Sequence, residues 1–296
     1  NGGKTITHFH HSYAIASYLV AFAVTNYTVT NTSVQLQHSV LPIITYAYPE
    51  SANAFNANTY KMLDAMKLFD SAFVDYPFAR EKYGQTQFGW GGGMEHQTNS
   101  FVISYGENLM AHELAHQWFG DRITCGSWQD IWLNEGFATF CADFLYTERY
   151  NPVQYKANVQ SDLDYVVSVP SGSVKVDDTT STGRIFDGRL SYDKGAFLLR
   201  MLRFTLGDEA FFNGLRSYLQ DVKLKYGFAR TNDLQKHLED ASGKNLNYFF
   251  KQWFEGQGYP SIKAEWYQAN NNEVGVYLSQ TTSHPSVSFY KTLVQI

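Results

Sequence analysis

The chain has little cysteine. Cys125 and Cys141 are the two thiols in 296 residues and allow one bridge at most, which excludes a disulfide scaffold and leads to the expectation of buried free thiols. It has no basic surplus either. Against 23 Lys and Arg stand 28 Asp and Glu, a formal charge of -5, so nothing supports the counterion release that holds proteins to phosphate backbones, and nucleic acid is not an expected partner. Long apolar runs are missing too. Residues 14–24 and 131–145 are too short or too interrupted for the roughly 20 residues of a membrane-spanning helix, so the expectation is a soluble protein without a membrane span. No repeat occurs at solenoid periods. Compartment stays open: a charged fraction of 17% leans toward a secreted or periplasmic protein over bacterial cytoplasm, and no basic-then-apolar signal stretch is present to decide it.

Apolar side chains are plentiful. At 44% hydrophobic and 17% aromatic residues the composition is that of a folded chain, long enough for one large domain or two smaller ones. Residues 13–24 and 27–37 read as strands, the second alternating Val29, Val34 and Leu36 with polar residues. From Ser51 the pattern turns helical, with Ala57, Met62, Ala65, Leu68, Phe69 and Phe73 on one face until Tyr76-Pro77 ends it. Helices are then expected over 109–119, 131–146, 152–166, 192–206, 209–226, 233–241 and 246–254, with Thr231 ahead of one and Gly207 and Gly243 just past two others. Strand patterning returns from Pro260 through Leu278. The fold class is therefore α+β: residues 1–46 as the end of a β-domain, 47–258 as a large helix-rich α+β domain, and 259–296 as the start of a β-sandwich. Both end segments are too short to be complete sandwiches.

The chemistry concentrates at His112-Glu113-Leu114-Ala115-His116. Histidines four apart share one helix face, with Cβ atoms about 5–6 Å apart, a separation that suits two bonds to one ion. Glu113, rotated about a quarter turn away, can flank that ion and take a proton from water without ligating. Leu109, Met110, Leu114, Trp118 and Phe119 leave this helix no solvated face. Catalytic zinc takes three protein ligands and keeps one position open, so a third must exist. Glu135 is the candidate, because a carboxylate among Ile131, Leu133, Phe137, Ala138 and Phe140 needs a cation to offset its burial. His8, His10 and His11 have no acidic or thiol neighbour in sequence and read as incidental.

These residues resemble the M1 zinc aminopeptidases of the gluzincin branch. The likeness rests on 112–120 (HELAHQWFG), 132–138 (WLNEGFA), 92–96 (GGMEH, against G-x-M-E-N) and 192–195 (YDKG), in the family's order, with 249–260 and 18–24 similar to its domain junctions. The resemblance implies a thermolysin-like catalytic domain binding one Zn2+ through His112, His116 and Glu135, with Glu113 as general base. It further implies Tyr192 as donor to the developing oxyanion, Glu95 as the carboxylate for a protonated N-terminus, and Gly92, Gly93 and Met94 as a strand edge for the substrate backbone. His96 stands where the pattern has asparagine and is implied as a further substrate-binding residue, although it is larger than asparagine and an imidazole titrates near neutrality. Peptides with a free N-terminus are the implied substrates. The amine site's remaining Gln or Glu would lie upstream of residue 1, so the expectation is a piece of a longer protein whose other domains are its partners. A thermolysin-like endopeptidase and a silent binding scaffold stay open as alternatives; intact Glu113 and Tyr192 count against the scaffold.

Overall fold

The computed structural model describes residue 3 and residues 6–295. Alternation along Val40–Ala47 (β2) buries Leu41, Ile43, Thr45 and Ala47, which sends one face of the strand into the core. Strand β1 (Thr28–Gln35) pairs with it antiparallel, Val34 opposite Leu41. On its other side β2 runs parallel to β3 (Tyr83–Gln87), β3 runs parallel to β5 (Ser100–Val102), and β4 (Gly93–Met94) closes the edge antiparallel to β5. The order β1-β2-β3-β5-β4 places the shortest strand at the margin.

Helix α1 (Ala52–Ala72) makes the crossover from β2 to β3, laying Met62, Ala65, Met66 and Phe69 on the sheet residues Val34, Leu41 and Ile43. Its apolar stripe runs as expected except that Ala57 faces solvent. The expected strand over 13–24 does not form. That stretch carries one 3-10 turn, Ser17–Leu19, and leaves Val20, Phe22 and Val24 exposed, its backbone pairing with no strand among the described residues. The division expected at 46/47 falls inside β2, which is bonded to β3, so residues 28–47 are continuous with the central sheet.

Helices dominate from α2 (Glu107–Ala115) onward. A 3-10 segment, Trp128–Leu133, leads into α3 (Glu135–Phe140) and a π-helical stretch Cys141–Thr147. Helices Pro152–Val167, Gly195–Leu206, Asp208–Gln220 and Thr231–Ser242 follow. Two expectations fail locally. The helix expected to reach 226 stops at Gln220, since the Asp221 carboxylate accepts the Lys223 N–H and Tyr226, at φ 58°, turns the chain into β7 (Gly227–Ala229) beside β6 (Ile123–Cys125). Thr231 lies inside its helix. Arg230 is the N-cap residue, its N–H bonded to the Asp233 carboxylate at 2.8 Å, while the Thr231 hydroxyl donates to buried Asp130 and accepts from Trp132 Nε1. The α+β class is as expected. At the C-terminal end β8 (Pro260–Asn270) and β9 (Glu273–Thr282) form a separate two-stranded hairpin with Trp266, Tyr267 and Tyr277 exposed. No helix among the described residues is long and apolar enough to cross a membrane.

One contact sets the depth of α3. A Cβ at Gly136 would stand 3.1 Å from the backbone of Gly195, and the reverse placement is equally close, so two glycines let the helices meet backbone to backbone. Gly136→Val should lower stability by about 1–3 kcal/mol through overpacking, read as a reduced urea midpoint with an unchanged slope.

Candidate active site

Helix α2 buries Met110, Ala111, Leu114 and Ala115, which fixes its rotation and turns His112 and His116 toward one point. His116 caps the helix while keeping helical dihedrals (φ -56°, ψ -25°), so the four-residue spacing survives at the helix end. The helix is tied to the sheet by a relay in which Tyr83 donates its hydroxyl to Ser100 Oγ at 2.8 Å and Ser100 donates to the Glu113 carbonyl at 3.1 Å. His116 Nδ1–H donates to the Phe119 carbonyl at 3.0 Å. A carbonyl only accepts, so this bond puts a proton on Nδ1 and leaves Nε2 as the nitrogen that faces the site.

Glu135, the first residue of α3, completes the group. Its Oε2 lies 3.4 Å from Nε2 of each histidine, and the two Nε2 atoms are 3.2 Å apart. A tetrahedral centre with bonds of about 2.0–2.2 Å needs ligand atoms roughly 3.3–3.6 Å apart. The triangle fits. Its donor set, two imidazoles and one carboxylate, is also the set that suits zinc in hydrolytic sites.

Charge supports the same reading. Glu135 is held below the usual carboxylate range: burial opposes this, and the His116 charge with bonds from both imidazoles overcomes it. Burial likewise works against His116, but the carboxylates of Glu95, Glu135 and Glu113 raise it well above an ordinary histidine. His112 is lowered, mainly by burial. Glu113 is pushed well up by burial, and Glu95 and Glu135 add to the shift while His116 opposes it. Three acids around two imidazoles make this corner of the molecule a strong attractor for a cation.

The remaining expected residues fall as follows. A cavity of about 1030 Å³ is lined by Gly92, Gly93, Met94, Glu95, His112, Glu113, His116, Glu135 and Tyr192. Gly93 sits so close to Glu113 that a Cβ there would overlap the carboxylate, and Gly92 before it takes a positive φ of 80°. Glu95 is buried, and one of its oxygens lies within 4.8 Å of ligand atoms of Glu113 and His116. Tyr192, on the π-helical turn Gly188–Lys194, lays its ring parallel to His112 with centroids 6.0 Å apart. Its phenol is raised by desolvation and then by Glu135, Glu95 and Glu113, so it stays protonated. His96 is not brought to the cavity. Its Nδ1 bonds the Leu19 carbonyl at 3.0 Å and its ring meets Phe101 edge-on.

Both cysteines are free. Cys125 is half-buried on the cavity wall rather than fully buried, its thiol pushed up to about 12 by desolvation first and Glu135 next, so it is no nucleophile. His11 has an acidic partner after all, Glu81 at 3.2 Å, brought to it by the fold. Sequence reasoning missed three supports: the Phe119 carbonyl behind His116, Asn134 holding the Cys125 N–H at 3.0 Å, and Tyr18 on the cavity wall. Asn134 beside Glu135 and Phe119 three residues after His116 both lie within the quoted motifs, whereas Tyr18 reaches the cavity wall only through the fold.

Comparison with known proteins places the chain in a family. The model of the Peptidase family M1 domain matches residues 95–253. Aminopeptidase 2, mitochondrial, of Saccharomyces cerevisiae is 33% identical over 288 residues, 88% of this chain and 29% of that protein. Among solved structures, an M1 zinc metallopeptidase from Deinococcus radiodurans superposes with a TM-score of 0.64 at 25% identity, covering 78% of this chain and 52% of that one. Legionella pneumophila aminopeptidase A, in complex with aspartic acid, superposes with a TM-score of 0.74 over 86% of this chain and 31% of that one; at 19% identity this is a likeness of fold. The chain thus spans about a third or less of the length of the curated relatives it matches over most of its own length.

Glu135→Ala should weaken zinc binding by more than about 100-fold, the upper loss seen even for outer partners of metal ligands. Competition with a chromogenic chelator measures it, and unchanged affinity would remove Glu135 from the ligand set.

Proposed function

This chain belongs to peptidase family M1, and on that premise we propose that it is the catalytic part of a zinc-dependent aminopeptidase removing single residues from the free N-termini of peptides. The observation that carries this reading is the 3.2–3.4 Å triangle of His112, His116 and Glu135 with two further carboxylates, Glu113 and Glu95, against it. Bound zinc supplies Lewis-acid chemistry, polarising a carbonyl and lowering the pKa of water toward neutrality.

The chain's own residues do the rest. Glu113, pressed under Gly93, accepts the proton of the attacking water on its carboxylate and passes it to the leaving amine. The raised proton affinity that burial gives this carboxylate suits it to the task, and a dication beside it draws the value back down. Tyr192 donates its phenolic hydrogen to the oxyanion as charge develops there. Glu95 pairs with the substrate ammonium, and its fixed distance from the metal ligands permits one residue to fit between amine and scissile bond. Strand β4 has one edge bonded to β5 and offers the other to an extended substrate backbone.

The substrate class is tested by comparing hydrolysis of a free-amine aminoacyl anilide with its N-acetylated form. The free amine should be preferred by at least about 100-fold, the value of a charge-assisted bond of roughly 3 kcal/mol. Preference for the blocked substrate would favour the endopeptidase alternative. Glu113→Ala should abolish turnover with zinc still bound, and Tyr192→Phe should lower kcat by about 100-fold or more with little change in KM. Metal analysis beside steady-state kinetics checks both, and an effect of Tyr192→Phe confined to KM would take that residue out of the mechanism.

A further inference from the structure

Two features of the chain take no part in the proposed reaction: the apolar stretch before β1 that forms no strand, and the imidazole of His96. They meet. Residues 12–19 run as a strap along the loop that follows Glu95, fastened by the Ser12 N–H to Glu81 at 2.6 Å, by Gln97 Nε2 to the Ala14 carbonyl at 3.1 Å, and by His96 Nδ1 to the Leu19 carbonyl at 3.0 Å. Between the last two fastenings Ala16, Ser17 and Tyr18 line the cavity. The 3-10 turn there, closed by the Leu19 N–H on the Ala16 carbonyl, buries Leu19 to 2% exposure and leaves Tyr18 39% exposed toward the cavity.

Tyr18 lines the same cavity as Glu95 and Glu135, and the strap that carries it is tied to His96 and Gln97, the two residues that follow Glu95. A peptide whose ammonium meets Glu95 and whose first carbonyl meets the metal ligands carries its first side chain on the carbon between the two. That side chain therefore emerges beside Tyr18. Elsewhere the wall offers Met94, Trp128, Ile131 and Phe228, and no lysine or arginine is among the lining residues.

Resting on the aminopeptidase reading, we propose that Tyr18 is a specificity-determining residue that closes the space for an uncharged, apolar first side chain, and that His96 is its positioning residue, holding the strap through Leu19. His96 thus acts at one remove from the substrate. Because it adjoins Glu95 in the chain, one loop sets both the amine anchor and the wall facing the side chain.

The test uses the zinc-loaded chain with alanyl, leucyl, phenylalanyl and glutamyl anilides, and N-acetyl-leucyl anilide as control. Wild type should prefer leucyl and phenylalanyl over glutamyl substrates. Tyr18→Ala should change the leucyl-to-alanyl ratio of kcat/KM by about tenfold, the scale of a lost wall contact, with zinc content and the preference for a free amine unchanged. Tyr18→Trp should move the ratio in the opposite direction, which keeps the test intact if the alanine variant fails to fold. His96→Ala should shift the ratio in the same direction as Tyr18→Ala and add nothing to it in the double variant, while His96→Gln, whose amide can still donate to Leu19, should restore it. An unmoved ratio in the Tyr18 variants, additivity in the double variant, or equal turnover of glutamyl and leucyl substrates would overturn the proposal. If wild type cleaves only the blocked substrate, the aminopeptidase reading falls and takes this one with it; if it prefers the free amine and the ratios do not move, this proposal falls alone.

Discussion

A carboxylate buried in an aromatic core is the constraint on which the rest of the structure depends. Glu135 is enclosed at the start of α3, and its negative charge is tolerable there only against the imidazoles of α2. Two of the three converging atoms come from one helix and are aligned by its pitch. The third requires α2 and α3 to pack at a fixed offset. Phe119 and Phe137 stack with centroids 4.2 Å apart, Asn134 bonds the backbone of β6, and Gly136 meets Gly195 without intervening side chains. Each contact fixes the approach of α3 from a different side.

That same Gly136–Gly195 crossing connects Glu135 to Tyr192. The helix that presses on α3 begins at Gly195, directly after the π-helical turn carrying Tyr192. A π-turn inserts one extra residue into the helical repeat and re-aims the side chains on it. Here it brings the tyrosine ring parallel to His112. The positions of Tyr192 and Glu135 therefore rest on one helix–helix contact.

The edge of the sheet supplies the other half of the cavity. Strand β4 is two residues long and bears no side chain at Gly93, so it passes over Glu113 at a distance no other residue would permit. The loop after it carries Glu95, then turns through Thr98 at φ 65°, where the Thr98 N–H bonds the buried Gln117 side chain of the α2 terminus at 2.8 Å. Glu95 and the end of the helix carrying His112 and His116 are thereby coupled through the Gln117 side chain, which also donates to the Glu95 carbonyl at 3.4 Å.

Much of the centre was legible in the sequence because its determinants are local or energetic. Histidines four apart share a helix face whatever surrounds them, and a glutamate amid Ile131, Leu133 and Phe137 demands a cation wherever the chain places it. The helix of α1, the strands β1 and β8, and the glycines against Glu113 follow from periodicity and from the absence of a side chain. What only the tertiary structure decided depends on partners distant in the chain. Residues 13–24 have strand-like composition yet form no strand, because the fold fastens them by side-chain bonds to His96 and Gln97 instead of by a ladder to a sheet. The pattern placed His96 at the substrate, but it bonds Leu19, seventy-seven residues earlier, since the strap crosses just there. Sequence alone determined which groups must find a positive charge; the packing of remote segments decided what stands around it, because a hydrogen bond or a wall contact exists only between atoms that the fold has already brought together.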